Sequence, residues 1–191
     1  GLLSLMLAQR YTDSHITALE IDKAAAQQAI ENCVKSPFVN QIDILNTALQ
    51  EFVSEKTALF SGIICNPPFY ENALKSPNNQ KNTAHHHTML SFDELVHAIQ
   101  RLLLPNGVCW ILLPPTEMEK LSCIFAKKSF FKTKSIFISH QAHKPIIREI
   151  CCFVRNREEP PIEIEQLVIF NTNGAYTSRI KDVLKEFYLI F

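Results

Sequence analysis

Only four glycines and a single tryptophan occur among the 191 residues. No apolar run approaches the roughly 20 residues that a membrane-spanning helix needs. The opening Leu2–Leu7 segment has no basic stretch before it and no small-residue cleavage site after it, so it does not read as a secretory signal. Low-complexity tracts and short internal repeats are missing as well. Net charge is absent too: 19 Lys and Arg balance 19 Asp and Glu. That balance argues against a protein that grips a polyanion by bulk electrostatics alone. None of the six cysteines stands in a C-x-x-C pair, and most sit in apolar runs such as Ile63-Ile64-Cys65. They are expected to be buried, reduced thiols of a cytoplasmic protein, not zinc ligands or a disulfide framework. What remains is one soluble domain spanning residues 1–191, 47% hydrophobic, long enough for a real core and short for two domains.

Strand and helix patterns alternate along the chain. His15–Ile21 reads as a buried strand, Asp22–Lys35 as a helix, Val39–Ile44 as a strand and Leu45–Phe52 as a short helix. Phe60–Cys65 is an apolar strand that stops at Asn66-Pro67-Pro68, and the polar stretch Tyr70–Thr88 reads as a functional loop. Phe92–Leu104 is an amphipathic helix, with Ser91 as cap and Glu94 at the third helical position, ending at Pro105-Asn106-Gly107. Val108–Leu113 is a strand and Glu117–Lys128 a helix. Phe130–Ser139 and Glu149–Arg155 form an antiparallel pair, because no helix lies between them, and Glu163–Phe170 and Tyr176–Phe187 add a strand and a terminal helix. The pattern predicts an α/β, doubly wound, mostly parallel sheet covered on both faces, with an antiparallel hairpin near its end.

A doubly wound cofactor fold is expected to begin with a strand and a glycine-rich turn that lets a ligand approach the backbone. This sequence opens at Gly1-Leu2-Leu3 and runs directly into a helix, Leu3–Arg10. The expectation is that Gly1 is the last glycine of that turn and that the first strand is missing from the chain.

Chemistry concentrates at Asn66-Pro67-Pro68-Phe69, directly after a buried strand. Consecutive prolines fix φ and restrict the residue before each, so the turn is rigid and extended. It would hold the Asn66 amide oxygen and the Pro67 carbonyl as two aimed acceptors, with Phe69 as a flat wall. An amino group conjugated to adenine is a poor nucleophile, and two acceptors drawing on its protons return its lone pair toward a methyl donor. Orientation of this kind contributes roughly 7–11 kcal/mol. Stacking on Phe69, about 1–3 kcal/mol, offsets an unstacking cost of a few kcal/mol for the extruded base.

Further candidates follow the carboxyl ends of successive strands, where doubly wound folds bind ligands. Glu20 ends the first strand and can accept both ribose hydroxyls of a nucleoside cofactor. Asp43 ends the next and can accept from that cofactor's adenine amino group, whereas Asp22 begins a helix and reads as its N-cap. Lys144 and Arg148 lie between the last strands, near where substrate would enter. They belong to a basic third of the chain, Glu119–Arg157, with nine Lys and Arg against two acids. The triplet His85-His86-His87 sits in the loop. Three consecutive histidines cannot converge on one ion, and no Cys or acid stands at ligand spacing, so no metal is expected. His85 is a candidate RNA contact instead.

Gly1-Leu2-Leu3, Ala18-Leu19-Glu20-Ile21-Asp22, Ile42-Asp43-Ile44 and Asn66-Pro67-Pro68-Phe69 resemble the motifs of class I amino-methyltransferases, whose sheet has seven strands. Within these, Asn66–Glu71, Leu74–Asn78 and Leu90-Ser91-Phe92 are similar to the bacterial tRNA1(Val) (adenine-37-N6)-methyltransferases, and the likeness runs from Gly1 to about Phe153. The resemblance implies S-adenosylmethionine bound by Gly1, Glu20, Asp43 and Asn66, with catalysis by Asn66, Pro67 and Phe69. It implies a tRNA substrate met by Pro68, Tyr70, His85, Lys144 and Arg148. Two departures stand out: the glycine loop is nearly absent, and Ala84-His85-His86-His87 replaces an expected Ala-Arg-His, a weaker phosphate contact than arginine at neutral pH. Three alternatives stay open. A release-factor-type glutamine N5-methyltransferase shares the Asn-Pro-Pro-aromatic logic, though usually with Tyr in the place of Phe69. A DNA adenine methyltransferase lacks its target-recognition domain here, and the third alternative is a non-catalytic RNA-binding module. Oligomeric state is not legible in the sequence.

Overall fold

A computed structural model describes residues 1–53, 57–67, 90–156 and 158–190. The chain forms two compact units, Gly1–Glu55 and Lys56–Phe191.

In the first unit the order is α1 (Leu2–Arg10), β1 (Ile16–Leu19), α2 (Lys23–Val34), β2 (Ile42–Leu45) and α3 (Leu49–Val53). Strands β1 and β2 pair in parallel, from Ile16 opposite Ile42 to Leu19 opposite Leu45. Alanine at four of the first seven positions of α2 favours helix. The Asp22 carboxylate accepts the Ala25 N–H at 2.7 Å, satisfying one of the donors that a helix start leaves without an intrahelical partner. Ala8, Cys33 and Ile42 form the small core, with Leu5, Ile16, Phe38 and Ile44 packed on it.

The second unit runs β3 (Phe60–Cys65), α4 (Phe92–Leu102), β4 (Leu103–Leu113), α5 (Pro115–Ala126), β5 (Phe130–Ser139), β6 (Ile146–Arg155), β7 (Glu163–Val168) and α6 (Ser178–Leu184). Its sheet has the order β3-β4-β6-β5-β7. β3 and β4 are parallel, β6 is antiparallel to both β4 and β5, and β7 is parallel to β5. Four of these five strands therefore point the same way, and β6 alone is reversed, as the mostly parallel expectation with a late hairpin requires. The core lies under α5. Phe125 stacks on Phe153 at 4.3 Å and meets Phe130 at 5.5 Å, and all three rings are buried with Met118, Leu121, Ile111 and Leu113.

Helix α4 starts as expected: the Ser91 hydroxyl accepts the Glu94 N–H, and the Glu94 carboxylate accepts the Ser91 N–H at 2.8 Å. Its end differs. The helix stops at Leu102, and β4 begins at once, so Pro105-Asn106-Gly107 lies inside the strand at a register shift opposite Phe60/Gly62. A Cβ at Gly107 would lie 2.7 Å from the Leu103 side chain, so the irregularity depends on glycine there. Helix α5 starts two residues early, with Pro115 in the first turn where its missing N–H costs nothing. β6 starts three residues early, because Ile146 and Arg148 already pair with Ser139 and Ile138.

One buried polar cluster crosses the β5–β6 pair. Glu149 is 4% exposed, and its Oε1 accepts from Lys132 Nζ at 2.9 Å, Ser135 Oγ at 2.9 Å and Cys151 Sγ at 2.9 Å. Burial, helped by the Glu149 carboxylate, pushes the Cys151 thiol up to about 12, so it remains a neutral donor at physiological pH. Removing one member of a buried ion pair leaves the other uncompensated. Lys132→Ala should therefore lower stability by about 3 kcal/mol, read as a fall in the urea midpoint. Adding Glu149→Gln to that variant should recover part of the loss; no recovery would mean that packing, not charge, carries it.

Candidate active site

β3 and β4 run parallel, so their carboxyl ends share one edge of the sheet. Cys65, the last residue of β3, pairs with Ile111, and Asn66-Pro67 leaves the strand from that edge. Pro67 is buried and Asn66 exposed, which seats the turn in the protein and leaves the amide facing out. Burial pushes the Cys65 thiol up to about 11, so the neighbouring sulfur is no nucleophile at neutral pH. Pro68, Phe69, Tyr70 and His85 lie outside the described residues.

Because β6 runs antiparallel to β4, its beginning lies on this same edge: Leu113, where β4 ends, pairs with Glu149. Lys144 and Arg148 thus share an edge with Asn66. Lys144 is exposed, and the Arg148 guanidinium donates to the Ile147 carbonyl at 2.7 Å.

In the first unit, Glu20 directly follows β1, and its N–H donates to the Leu45 carbonyl at 3.0 Å, extending the parallel ladder by one residue. Its carboxylate accepts the Asp22 N–H at 3.0 Å. Asn46 Nδ2 donates to the carbonyls of Glu20 and Ile21 at 2.8 and 3.1 Å, so this side chain holds the turn that presents Glu20. Sequence reasoning missed Asn46. Its signal was an amide one residue beyond a parallel strand, at the usual ligand-binding end.

Asp43 is a correction. It does not end its strand: Ile44 and Leu45 still pair with Ala18 and Leu19, which carries the ladder two residues further. Asp43 sits opposite Thr17, and its Oδ2 lies 2.7 Å from His15 Nε2. The position beyond β2 belongs to Asn46.

Gly1 caps α1 at a close approach of two helices. A Cβ there would lie 3.0 Å from the Ala29 Cβ and 3.3 Å from its Cα, so a larger residue would push α1 off α2. The expected N-cap role of Asp22 is met. No group of three or more His, Cys, Asp or Glu able to hold a metal ion occurs among the described residues. None of their helices is long and apolar enough to cross a membrane.

The structure is similar to a predicted O-methyltransferase from Agrobacterium tumefaciens, with a TM-score of 0.71 over 94% of this chain and 81% of that one at 14% identity. It is also similar to a structure described as a class I S-adenosylmethionine-dependent methyltransferase from Listeria monocytogenes, with a TM-score of 0.55 over 96% and 58% at 15% identity. At such identities the likeness speaks for the fold alone. Fold and strand-end turn together define a class I methyltransferase, and residues 1–136 match the family model "Methyltransferase small domain".

Curated relatives narrow this. A tRNA1(Val) (adenine(37)-N6)-methyltransferase from Dyadobacter fermentans is 41% identical over all of this chain and 80% of its own length. One from Flavobacterium johnsoniae is 34% identical over 99% and 80%. The chain belongs to the tRNA1(Val) (adenine(37)-N6)-methyltransferase family.

If Asp22 is a cap and not a ligand, Asp22→Ala should lower stability by about 1 kcal/mol and leave affinity for S-adenosylmethionine unchanged in calorimetry. A large loss of affinity with unchanged stability would reverse the assignment.

Proposed function

We propose that this enzyme methylates the N6 amino group of adenine 37 in tRNA1(Val), with S-adenosylmethionine as the donor, in the cytoplasm. The observation that carries the reading is Asn66-Pro67 leaving the end of the parallel strand β3 in a chain 41% identical to a relative of that name. Both compact units serve one catalytic domain in this reading, since the family match runs through residues of both.

The donor set of the first unit fits a nucleoside cofactor. Glu20 presents a carboxylate from a turn held by Asn46, just before the start of α2. When bound, S-adenosylmethionine supplies a methyl group made electrophilic by its sulfonium. Glu20 would hold its ribose hydroxyls. Asp43, whose exposed carboxylate also lies 2.7 Å from His15 Nε2, would accept from the cofactor's adenine amino group.

Asn66 and Pro67 do the positioning. The amide oxygen and the Pro67 carbonyl accept the two protons of the target amine and turn its lone pair out of conjugation with the ring. No charged base is needed beforehand, because the amine's proton becomes acidic once nitrogen is alkylated and can pass to water. Phe69 and Tyr70 would supply stacking surface to the extruded base, and Pro68 would meet the same substrate. His85, Lys144 and Arg148 meet the RNA backbone. An unpaired loop adenine needs no separate recognition domain, since its faces and edges are already available.

Asn66→Ala should cut turnover by at least 100-fold and leave cofactor affinity within a few-fold, and Glu20→Ala should weaken cofactor binding by tenfold or more. Both are read by calorimetry beside incorporation of labelled methyl into tRNA lacking the modification. Loss of cofactor binding in the first variant, or none in the second, would overturn these roles. N6-methyladenosine in the digested tRNA is the expected product, whereas label on a release factor would move the reaction to glutamine.

A further inference from the structure

β6 overhangs the edge on which Asn66 sits. Glu149 pairs with the last residue of β4, so Ile146–Arg148 extend past the end of that strand, roughly 10 Å at the usual rise per residue. β5 runs with β6 to Ser139, and β7 runs with β5 to Val168, so the three strands form a wall beyond the strand-end floor. The top of this wall is built from two turns fastened to each other. Phe170 N–H donates to the His140 carbonyl at 2.8 Å, and Gln141 Nε2 donates to the Asn171 carbonyl at 3.2 Å.

Aromatic rings gather there. His140 is exposed and lies nearly parallel to Phe170, with 13° between planes and 6.4 Å between centroids, and Phe170 meets Tyr176 at 4.9 Å. The electrostatics are one-sided. Between Ser139 and Arg148 stand His140, His143, Lys144 and Arg148 with no carboxylate, and residues 169–178 carry no charge at all. Glu149, the next residue after Arg148, is buried and paired with Lys132. On β7, Glu163 and Glu165 lie toward the opposite end of the strand and are paired with Lys134 and Arg179. On a chain with zero net charge, this concentration of rings and cations is local.

We propose that the wall formed by His140, Phe170 and Tyr176, with Lys144 and His143 beside it, is a second RNA subsite that stacks an unpaired nucleotide flanking the methylated adenine. Stacking on rings with cations following the backbone is how single-stranded RNA is held without sequence readout. Distance decides which nucleotide. Three strand spacings separate β3 from β5, roughly 14 Å, which is too far for the target base at Asn66 and within reach of its neighbours. This rests on the tRNA reading above and names the contacts that keep the loop open while the adenine is extruded.

The test uses the full-length protein and the tRNA transcript. His140→Ala should raise Kd and KM for tRNA roughly tenfold, the loss of one base–ring stack. The kcat, cofactor affinity and melting temperature should stay as in the wild type. His140→Phe should restore binding, since a ring and not a charge is required. Lys144→Ala should reduce the slope of log Kd against log salt by about 1, as for one lost phosphate contact. With 2-aminopurine placed at each loop position in turn, one position other than the target should be quenched by the wild type and not by His140→Ala. If the wild type methylates tRNA while His140→Ala and Lys144→Ala bind it unchanged, the subsite is wrong and the function stands. If the wild type methylates no tRNA but loses RNA affinity in both variants, the subsite stands and the function fails.

Discussion

The reversed strand β6, inserted between two strands that run the other way, is the constraint on which the second unit depends. An antiparallel strand in that position must enter from the edge where its neighbours leave. The turn before it is thereby brought to the carboxyl ends of β3 and β4, where Asn66 stands. Its backbone is paired on both sides from Glu149 to Val154, and the Lys132–Glu149 pair with Ser135 and Cys151 ties it to β5. A slip by one residue would turn Glu149 to the opposite face and strand its charge. The basic turn thus owes its place to a buried polar contact more than to any interaction of its own.

The first unit works by a different device. Its two strands are short, four residues each, and the small core beneath them cannot by itself specify the turns at their ends. Side-chain hydrogen bonds do that. Asn46 reaches across to two carbonyls of the turn after β1, Glu20 accepts the Asp22 N–H, and Asp22 in turn starts α2. One chain of contacts therefore connects the end of β2 to the carboxylate proposed to hold the cofactor. Rigid positioning suits a reaction in which orientation supplies much of the rate.

In the second unit the same edge divides its work by height. The Asn66-Pro67 turn lies on the floor, where the proposed reaction has its amine held by two acceptors. Rings and cations lie on the overhanging wall, where tolerance is wanted, because every base has a stacking face and every nucleotide a phosphate. Zero net charge is compatible with RNA binding on these terms, since the cations of the two turns are gathered where the strand would lie and the acids of β6 and β7 are paired.

Local order was legible without coordinates. Hydrophobic periodicity located the seven strands, Ser91 with Glu94 marked the start of α4, and Asn66-Pro67-Pro68 marked the end of β3 because proline's restriction of φ is a property of the residue itself. Strand ends were less legible. Asp43 was expected to close β2, yet the ladder continues through Leu45, since pairing is decided by the partner strand and not by the residue. The hidden Pro105–Gly107 irregularity, the Lys132–Glu149 pair across 17 positions and Asn46 reaching back to Glu20 are contacts between distant segments. Alternation and spacing carry no record of them. The sequence determined which elements form and what the turn after β3 can do; only tertiary structure decided which strand is reversed and which side chains share an edge, because both follow from long-range pairing.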